Sequence, residues 1–336
     1  MRAAVIERPG CAGAREVEQP RPAAGEVLVQ VAVCGVCGTD VHIMHGGFRA
    51  QYPVIPGHEF CGVVTALGPG VSGLEPGDRV VIDPNIVCGR CPYCRRGLVH
   101  LCTDLRAVGV TQPGGFASFV ALPAGQAHRL PDAVDDESAA FTEPLACCLH
   151  GLDRAEIRAG DQVAILGAGP IGLLMLQLAR LAGAAHITVS EPQAAKRGLA
   201  AQLGADQGLD PATDDLRAAV LDHNGIGADV VIECVGGAAP TAQALTLARR
   251  GGRVVLFGVS PHEAEVALRP YDVFLNELTI LGSYINPFTH ARAIELLAGG
   301  RVKTAPLVSH RLGLEEFAAA LEIAGEGAAA KVLVRP

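Results

Sequence analysis

The sequence predicts a two-domain α/β chain: a mostly antiparallel β domain followed by a doubly wound parallel sheet. The 336 residues exceed what one hydrophobic core ordinarily organises, so two domains of about 150 residues each are expected. From Met1 to about Ala140, short alternating or apolar runs ("AAVIE", "EVLVQVAV", "CGVVTAL", "DRVVID", "FASFVAL") are separated by Gly and Pro turns, the pattern of antiparallel strands. Near Glu143 the pattern changes. "GDQVAILGAGPIGLLMLQLARLAG" reads as strand, Gly-rich turn and helix, and strands then alternate with helices through "HITVS", "KRGLAAQLGA", "DVVIECVG", "TAQALTLARR", "RVVLFGV" and "LTILGS". After Ser283 come a helix in "HARAIELLAGG", a break at Pro306, a helix in "LEEFAAALEIA" and a last strand in "KVLVRP", a tail that returns to the first domain. The expected boundaries are residues 1–146 with 284–336 for the β domain and 147–283 for the parallel sheet.

Composition excludes several classes of function. Hydrophobic residues make up 49% of the chain and charged residues only 18%, which fits buried cores rather than disorder. A net charge of −8 supplies no basic footprint for nucleic acid or an anionic membrane. The longest apolar segment, Ile165 to Val189, is interrupted by Gln177, Arg180 and His186, so it reads as buried rather than membrane-spanning. "MRAAVIERPG" carries Glu7 and Arg8 before any signal-peptide core, so a cytoplasmic protein is expected, with small molecules and copies of itself as partners. Eleven cysteines in a reducing compartment point to metal more than to disulfides.

"GAGPIG" supplies Gly167, Gly169, Pro170, Ile171 and Gly172 directly after an apolar strand and at the mouth of a helix. Its glycines suit a tight turn, a close approach to pyrophosphate and close packing of helix on strand, with the anion at the helix N-terminus. Glu191 ends the next strand about 20 residues on, where a carboxylate binds a ribose 2′-hydroxyl and repels a 2′-phosphate. NAD is therefore favoured over NADP, while Lys196 and Arg197, one helical turn on, leave room for NADP or serve as a solvated helix face.

"CGRCPYCRRGLVHLC" carries Cys88, Cys91, Cys94 and Cys102. Four sulfurs and no open position describe a structural zinc. In "CGVCGTDVHIMHGG", Cys37 lies at a strand end, 21 residues ahead of His58 in "YPVIPGHEFCG". Taken singly, Cys37, His58 and Glu59 would be a buried thiol, a core histidine and a surface acid. Together, a thiolate, an imidazole and a carboxylate with a fourth place free make a catalytic zinc shell.

Cys37-Gly-Thr-Asp, Gly57-His58-Glu59, the four-cysteine lobe, "GDRV" and "GAGPIG" occur in the order seen in medium-chain zinc-dependent alcohol dehydrogenases, and the chain resembles that family over essentially its whole length. "FTEPLACCLHG", with Glu143 before Pro144, resembles the branch of sorbitol, other polyol, sugar and threonine dehydrogenases; the ethanol branch has cysteine where Glu143 stands. The resemblance implies a GroES-like catalytic domain, a Rossmann coenzyme domain, one catalytic and one structural zinc, and a homodimer or homotetramer. It implies that Cys37 and His58 are zinc ligands, that Glu59 or Glu143 is the third, directly or through water, and that Thr39 and His42 pass the alcohol proton to solvent. Sorbitol dehydrogenases carry Arg-Tyr where this chain has Ser283-Tyr284, a departure that weighs against sorbitol itself.

The expected activity is reversible hydride transfer between NAD and a secondary alcohol of a polyol, sugar or related hydroxylated compound. The alternatives are oxidation of an amino alcohol, as by L-threonine 3-dehydrogenase, and a zinc-free NADPH-dependent quinone or enoyl reductase. A non-enzymatic protein that has kept the fold is the remaining alternative.

Overall fold

The structure is a computed structural model and describes residues 1–47, 50–327 and 330–336. The loop His45 to Tyr52, expected to wall the substrate pocket, contains Phe48 and Arg49, which lie outside the described residues. The chain divides into two compact units, Met1–Ala146 with Asn286–Pro336, and Cys147–Ile285.

The first unit is organised around the strand Glu26–Gly35, whose apolar positions Val27, Val29, Val31 and Val33 are buried. That strand pairs antiparallel with Glu59–Leu67, with Phe119–Pro123 and with Lys331–Arg335. The sheet runs Val308–Gly313, Lys331–Arg335, Glu26–Gly35, Glu59–Leu67, Arg79–Ile82, Ala127–Arg129. Val308–Gly313 and Lys331–Arg335 pair in parallel, the exception in an otherwise antiparallel sheet. Phe60, Phe116 and Phe317 anchor the core, and the Phe116 and Phe317 rings lie 4.8 Å apart. At Gly35 the central strand stands opposite Glu59 on one side and Leu333 on the other, so three remote segments meet at one register position.

The second unit is a six-stranded parallel sheet in the order Gln207–Leu209, His186–Ser190, Gln162–Leu166, Ala228–Glu233, Ala248–Leu256, Thr279–Gly282. The direction of winding reverses between Gln162–Leu166 and Ala228–Glu233, and a crevice at that switch point is where such sheets take ligands. The apolar segment Ile165 to Val189 resolves into strand, turn, the helix Pro170–Leu181 and strand. No helix of the described residues is long and apolar enough to cross a membrane.

Two local readings differ from the sequence patterns. The helix expected through "TAQALTLARR" ends at Leu247, because Ala248 to Arg250 join the strand Ala248–Leu256 and Ala248 pairs with Ala228. The helices Leu216–Asn224 and Pro270–Asn276 are not predicted by the sequence patterns because each is short and set amid loop-like composition, and the second buries no residue.

One buried group of the first unit makes stability depend on pH. His290 is 2% exposed, accepts from Asn286 Nδ2 at 3.3 Å through its neutral Nδ1, and stacks on His128 at 5.3 Å. Burial, helped by His128, lowers its pKa to about 3. A histidine held neutral in the fold contributes stability that is complete above the unfolded value near 6.5 and is lost as pH falls from there toward 3. Wild-type protein should lose about 2 kcal/mol more stability than His290→Gln between pH 7 and pH 5; equal losses in urea titrations at the two pH values would exclude this.

Candidate active site

Cys37 is the N-cap of the short helix Gly38–Met44, immediately after the central strand of the first unit, in extended backbone (φ −109°, ψ 156°). Glu59 opens the neighbouring strand Glu59–Leu67, and His58 immediately precedes it. One ligand atom from each of Cys37, His58 and Glu59 lies within 4.8 Å of the others. Gly57 adopts φ +98°, and a side chain there would meet Cys34 Sγ and Phe116 at 2.8 Å, so "GHE" needs its glycine. Glu143, in the first turn of the helix Thr142–Ala155, is buried and lies outside the Cys37–His58–Glu59 set, close enough to act electrostatically on His58. Thr39 and His42 sit half-buried on the helix that Cys37 starts, one turn apart. His45 is exposed.

Two residues that the sequence reading missed hold this set in place. Asp40 is fully buried; its Oδ2 accepts from Cys37 N–H at 2.9 Å and its Oδ1 from Gly57 N–H at 3.3 Å, while His58 Nδ1 stands 3.7 Å away. It thus ties the cysteine segment to the histidine segment and orients the imidazole electrostatically from behind. Its signal was an acid three residues after an N-cap. Lys331, 272 residues from Glu59, forms a buried ion pair with Glu59 Oε2 and donates to Val36 carbonyl oxygen at 3.1 Å. Gly35 lies under this pair: a Cβ there would meet Glu59 Oε2 at 2.5 Å and Lys331 Cε at 3.1 Å. No local pattern around Lys331 announces that partnership.

The electrostatics of the cluster fit a cation. Burial opposes charge on His58, yet Cys37, Asp40 and Glu143 together raise its pKa well above the ordinary value. Burial likewise opposes charge on Lys331, and Glu59, Cys37 and Glu143 outweigh it. One thiol, one imidazole and one or two carboxylates make the donor set of a catalytic zinc.

Cys88, Cys91, Cys94 and Cys102 also bring their sulfurs within 4.8 Å of one another. Backbone N–H groups of Cys88, Cys91, Cys94 and Asp104 each donate to one of these sulfurs at 3.4 Å, which favours thiolates. Such bonds, from Cys94 N–H first, lower Cys91 to about 6, while burial and the neighbouring thiols push Cys94 up to about 12. Without a cation the four cannot all ionise; a zinc ion removes that conflict.

In the second unit, Gly167 takes φ +95° and a Cβ on Gly172 would meet Gly167 carbonyl oxygen at 1.9 Å, so both glycines are required for helix and turn to close. Gly169 caps the helix Pro170–Leu181, with Pro170 and Ile171 opening it. Glu191 is buried and accepts from Ala168 N–H at 2.9 Å and Gln193 N–H at 3.0 Å. Lys196 is buried on the helix Ala194–Gln202. The Arg197 guanidinium donates to the carbonyls of Glu191 and Pro192, both at 2.7 Å, and to Asp210 at 3.1 Å.

Comparison with known proteins agrees with this chemistry. Residues 23–132 match the model of the alcohol dehydrogenase GroES-like domain, and residues 170–298 that of the zinc-binding dehydrogenases. D-arabinitol dehydrogenase 1 of Uromyces fabae is 35% identical, over 93% of this chain and 90% of its own. A zinc-binding dehydrogenase of Sinorhizobium meliloti 1021, solved with NADP, is 46% identical with a TM-score of 0.97, covering 100% of this chain and 99% of its own. The alcohol dehydrogenase rspB of Escherichia coli CFT073, solved with NADH, is 32% identical with a TM-score of 0.94 and the same coverage.

Removing Lys331 should separate two effects. In Lys331→Met the Glu59 carboxylate loses its counter-charge, so the metal-free protein should be destabilised by about 3–5 kcal/mol. The added negative charge beside Cys37 should in turn tighten zinc binding about tenfold in chelator competition. Unchanged stability and unchanged zinc affinity would mean that the pair does not govern Glu59.

Proposed function

The chain belongs to the medium-chain zinc-dependent alcohol dehydrogenases, enzymes of CH–OH groups that use zinc and a nicotinamide dinucleotide, and from that premise we propose that it oxidises a secondary alcohol of a polyol, sugar or related hydroxylated compound with NAD. The observation that carries the proposal is the convergence of one thiol, one imidazole and one carboxylate, from Cys37, His58 and Glu59, within 4.8 Å of one another in a largely buried cluster. When bound, zinc there supplies Lewis-acid stabilisation of negative charge on oxygen, and the dinucleotide supplies a hydride acceptor.

Cys37 and His58 would hold the ion, with the Asp40 carboxylate 3.7 Å from His58 Nδ1 orienting the imidazole electrostatically. Lys331 draws Glu59 toward itself, so Glu59, or Glu143 in its place, would be the third residue to hold the ion, which would supply Lewis-acid stabilisation to a substrate hydroxyl. Thr39 would accept the proton of that hydroxyl and pass it, through the coenzyme ribose, to His42, whose imidazole would exchange it with solvent. Gly167 to Gly172 receive the pyrophosphate, and Glu191 the adenosine ribose. The Arg197 guanidinium is engaged with the carbonyls of Glu191 and Pro192 and with Asp210, which takes one of the two cations near Glu191 out of reach of a 2′-phosphate and supports NAD over NADP. Lys196, on the helix that follows Glu191, is the further residue read as binding the coenzyme. The four-cysteine lobe holds a second zinc and has no part in the chemistry.

A homodimer or homotetramer fits the exposed apolar side chains Tyr271, Phe274 and Leu275 near the edge strand Thr279–Gly282, and the eleven free cysteines suit the reducing cytoplasm.

Metal analysis of dialysed protein should give about two zinc per chain, falling to about one in Cys37→Ser. That variant should show no turnover with any polyol, sugar, aminocyclitol or threonine while keeping NADH affinity; retained turnover would refute the assignment. Replacing Glu191 by Ser should raise kcat/KM for NADP relative to NAD by about tenfold or more. An unchanged ratio would remove Glu191 from coenzyme choice.

A further inference from the structure

Glu233 is the last residue of the strand Ala228–Glu233, at the crest where the winding of the parallel sheet reverses. It is fully buried, opposite Leu166 on one neighbouring strand and Leu256 on the other. Its Oε1 accepts from two consecutive backbone groups, Val235 N–H at 2.6 Å and Gly236 N–H at 2.7 Å. Its Oε2, also buried, has no partner among the described residues. A buried carboxylate with an unpaired oxygen is an expensive way to make a turn. Its main-chain carbonyl also accepts from Phe257 N–H at 2.9 Å and Gly258 N–H at 2.8 Å, so one residue fixes the loops after two strands.

The turn it holds has no slack. Gly236 and Gly237 take φ +85° and +94°, a Cβ on Gly236 would meet Val259 carbonyl oxygen at 2.4 Å, and one on Gly258 would meet Gly236 N at 2.2 Å. Between Glu233 and these glycines, Val235 is 55% exposed, and its Cγ2 lies 2.8 Å from where a Cβ of Gly167 would stand. Val235 therefore projects beside the first glycine of "GAGPIG", and the turn after Ala228–Glu233 forms the second wall of the crevice whose first wall is that glycine turn.

We propose that Glu233 is a positioning residue for the dinucleotide: by clamping Val235 and Gly236 it presents the Val235 side chain to the bound coenzyme and keeps the crevice open before binding. The inference rests on the coenzyme reading given above. Its logic is preorganisation, since a wall already held in the bound geometry has no ordering entropy left to lose.

The test is NADH titration of the zinc-loaded wild-type enzyme, Glu233→Gln and Glu233→Leu, together with steady-state kinetics. Glu233→Gln keeps an oxygen for both N–H groups and should bind NADH within about threefold of wild type. Glu233→Leu keeps the bulk but offers no acceptor and should weaken NADH about tenfold or more, with zinc content and alcohol KM at saturating coenzyme unchanged. NADH affinity within about threefold in the leucine variant overturns the proposal, as does a loss of zinc or a rise in alcohol KM of the same size. If Glu233→Leu fails to fold, Glu233→Asp decides: its shorter carboxylate should also weaken NADH about tenfold, and wild-type affinity in it overturns the proposal. Failure of wild-type protein to bind NADH or NADPH would instead strike the coenzyme reading itself.

Discussion

The candidate metal centre depends on a buried ion pair built over a missing side chain. Glu59 and Lys331 belong to strands on opposite sides of the strand that ends at Gly35, and they meet because Gly35 has no Cβ to separate them. Neither charge would be tolerable alone at 2% and 4% exposure. The pair closes the last strand, Lys331–Arg335, onto the start of the metal segment, so a residue near the end of the sequence completes a site begun by Cys37. It also sets the charge that an ion meets there, because a carboxylate shared with a lysine is a weaker metal donor than one left free.

Two kinds of cation demand coexist in the first unit. The four-cysteine lobe encloses its sulfurs with backbone N–H donors from its own loop, so the demand is met between Cys88 and Asp104 and imposes little on the rest of the fold. The Cys37 cluster draws on the central strand, its neighbour, the helix Gly38–Met44 and the final strand. A closed shell assembled locally is suited to holding a loop. A shell assembled from remote segments, with a lysine competing for one of its carboxylates, is suited to keeping a position open.

What could be read in advance follows this difference. Motifs whose chemistry is local in sequence, "CGRCPYC" with Cys102 and "GAGPIG" with Glu191, were legible because their spacing encodes their geometry. The alternation of strands and helices after Glu143 exposed the parallel sheet for the same reason. Asp40 was half legible: its capping position is a local pattern, but its bond to Gly57 N–H is not. Lys331 was illegible, since a lysine in "AAKVLVRP" reads as an edge-strand solubiliser until the register with Gly35 brings it to Glu59. The end of the helix at Leu247 was set by strand pairing of Ala248 with Ala228, a tertiary contact that overrode the apolar spacing of "TAQALTLARR".

Three buried carboxylates share one device. Asp40 accepts from the N–H groups of Cys37 and Gly57, Glu191 from those of Ala168 and Gln193, and Glu233 from those of Val235 and Gly236. In each case an acid side chain replaces the strand or helix partner that a turn lacks, and the turn carries a residue read here as functional: a metal ligand, the glycine cradle or the crevice wall. Backbone N–H groups at strand ends and helix starts must be satisfied by something. Water would satisfy them equally well but would leave the turns free to move, whereas an acceptor oxygen anchored on a packed side chain holds them in place. Choosing a buried acid gives rigidity where ligands are to be held, at the expense of desolvating polar oxygen atoms. That exchange makes sense only where geometry matters more than stability, which is why these acids gather at the crest of the parallel sheet and around Cys37 rather than among the buried apolar side chains.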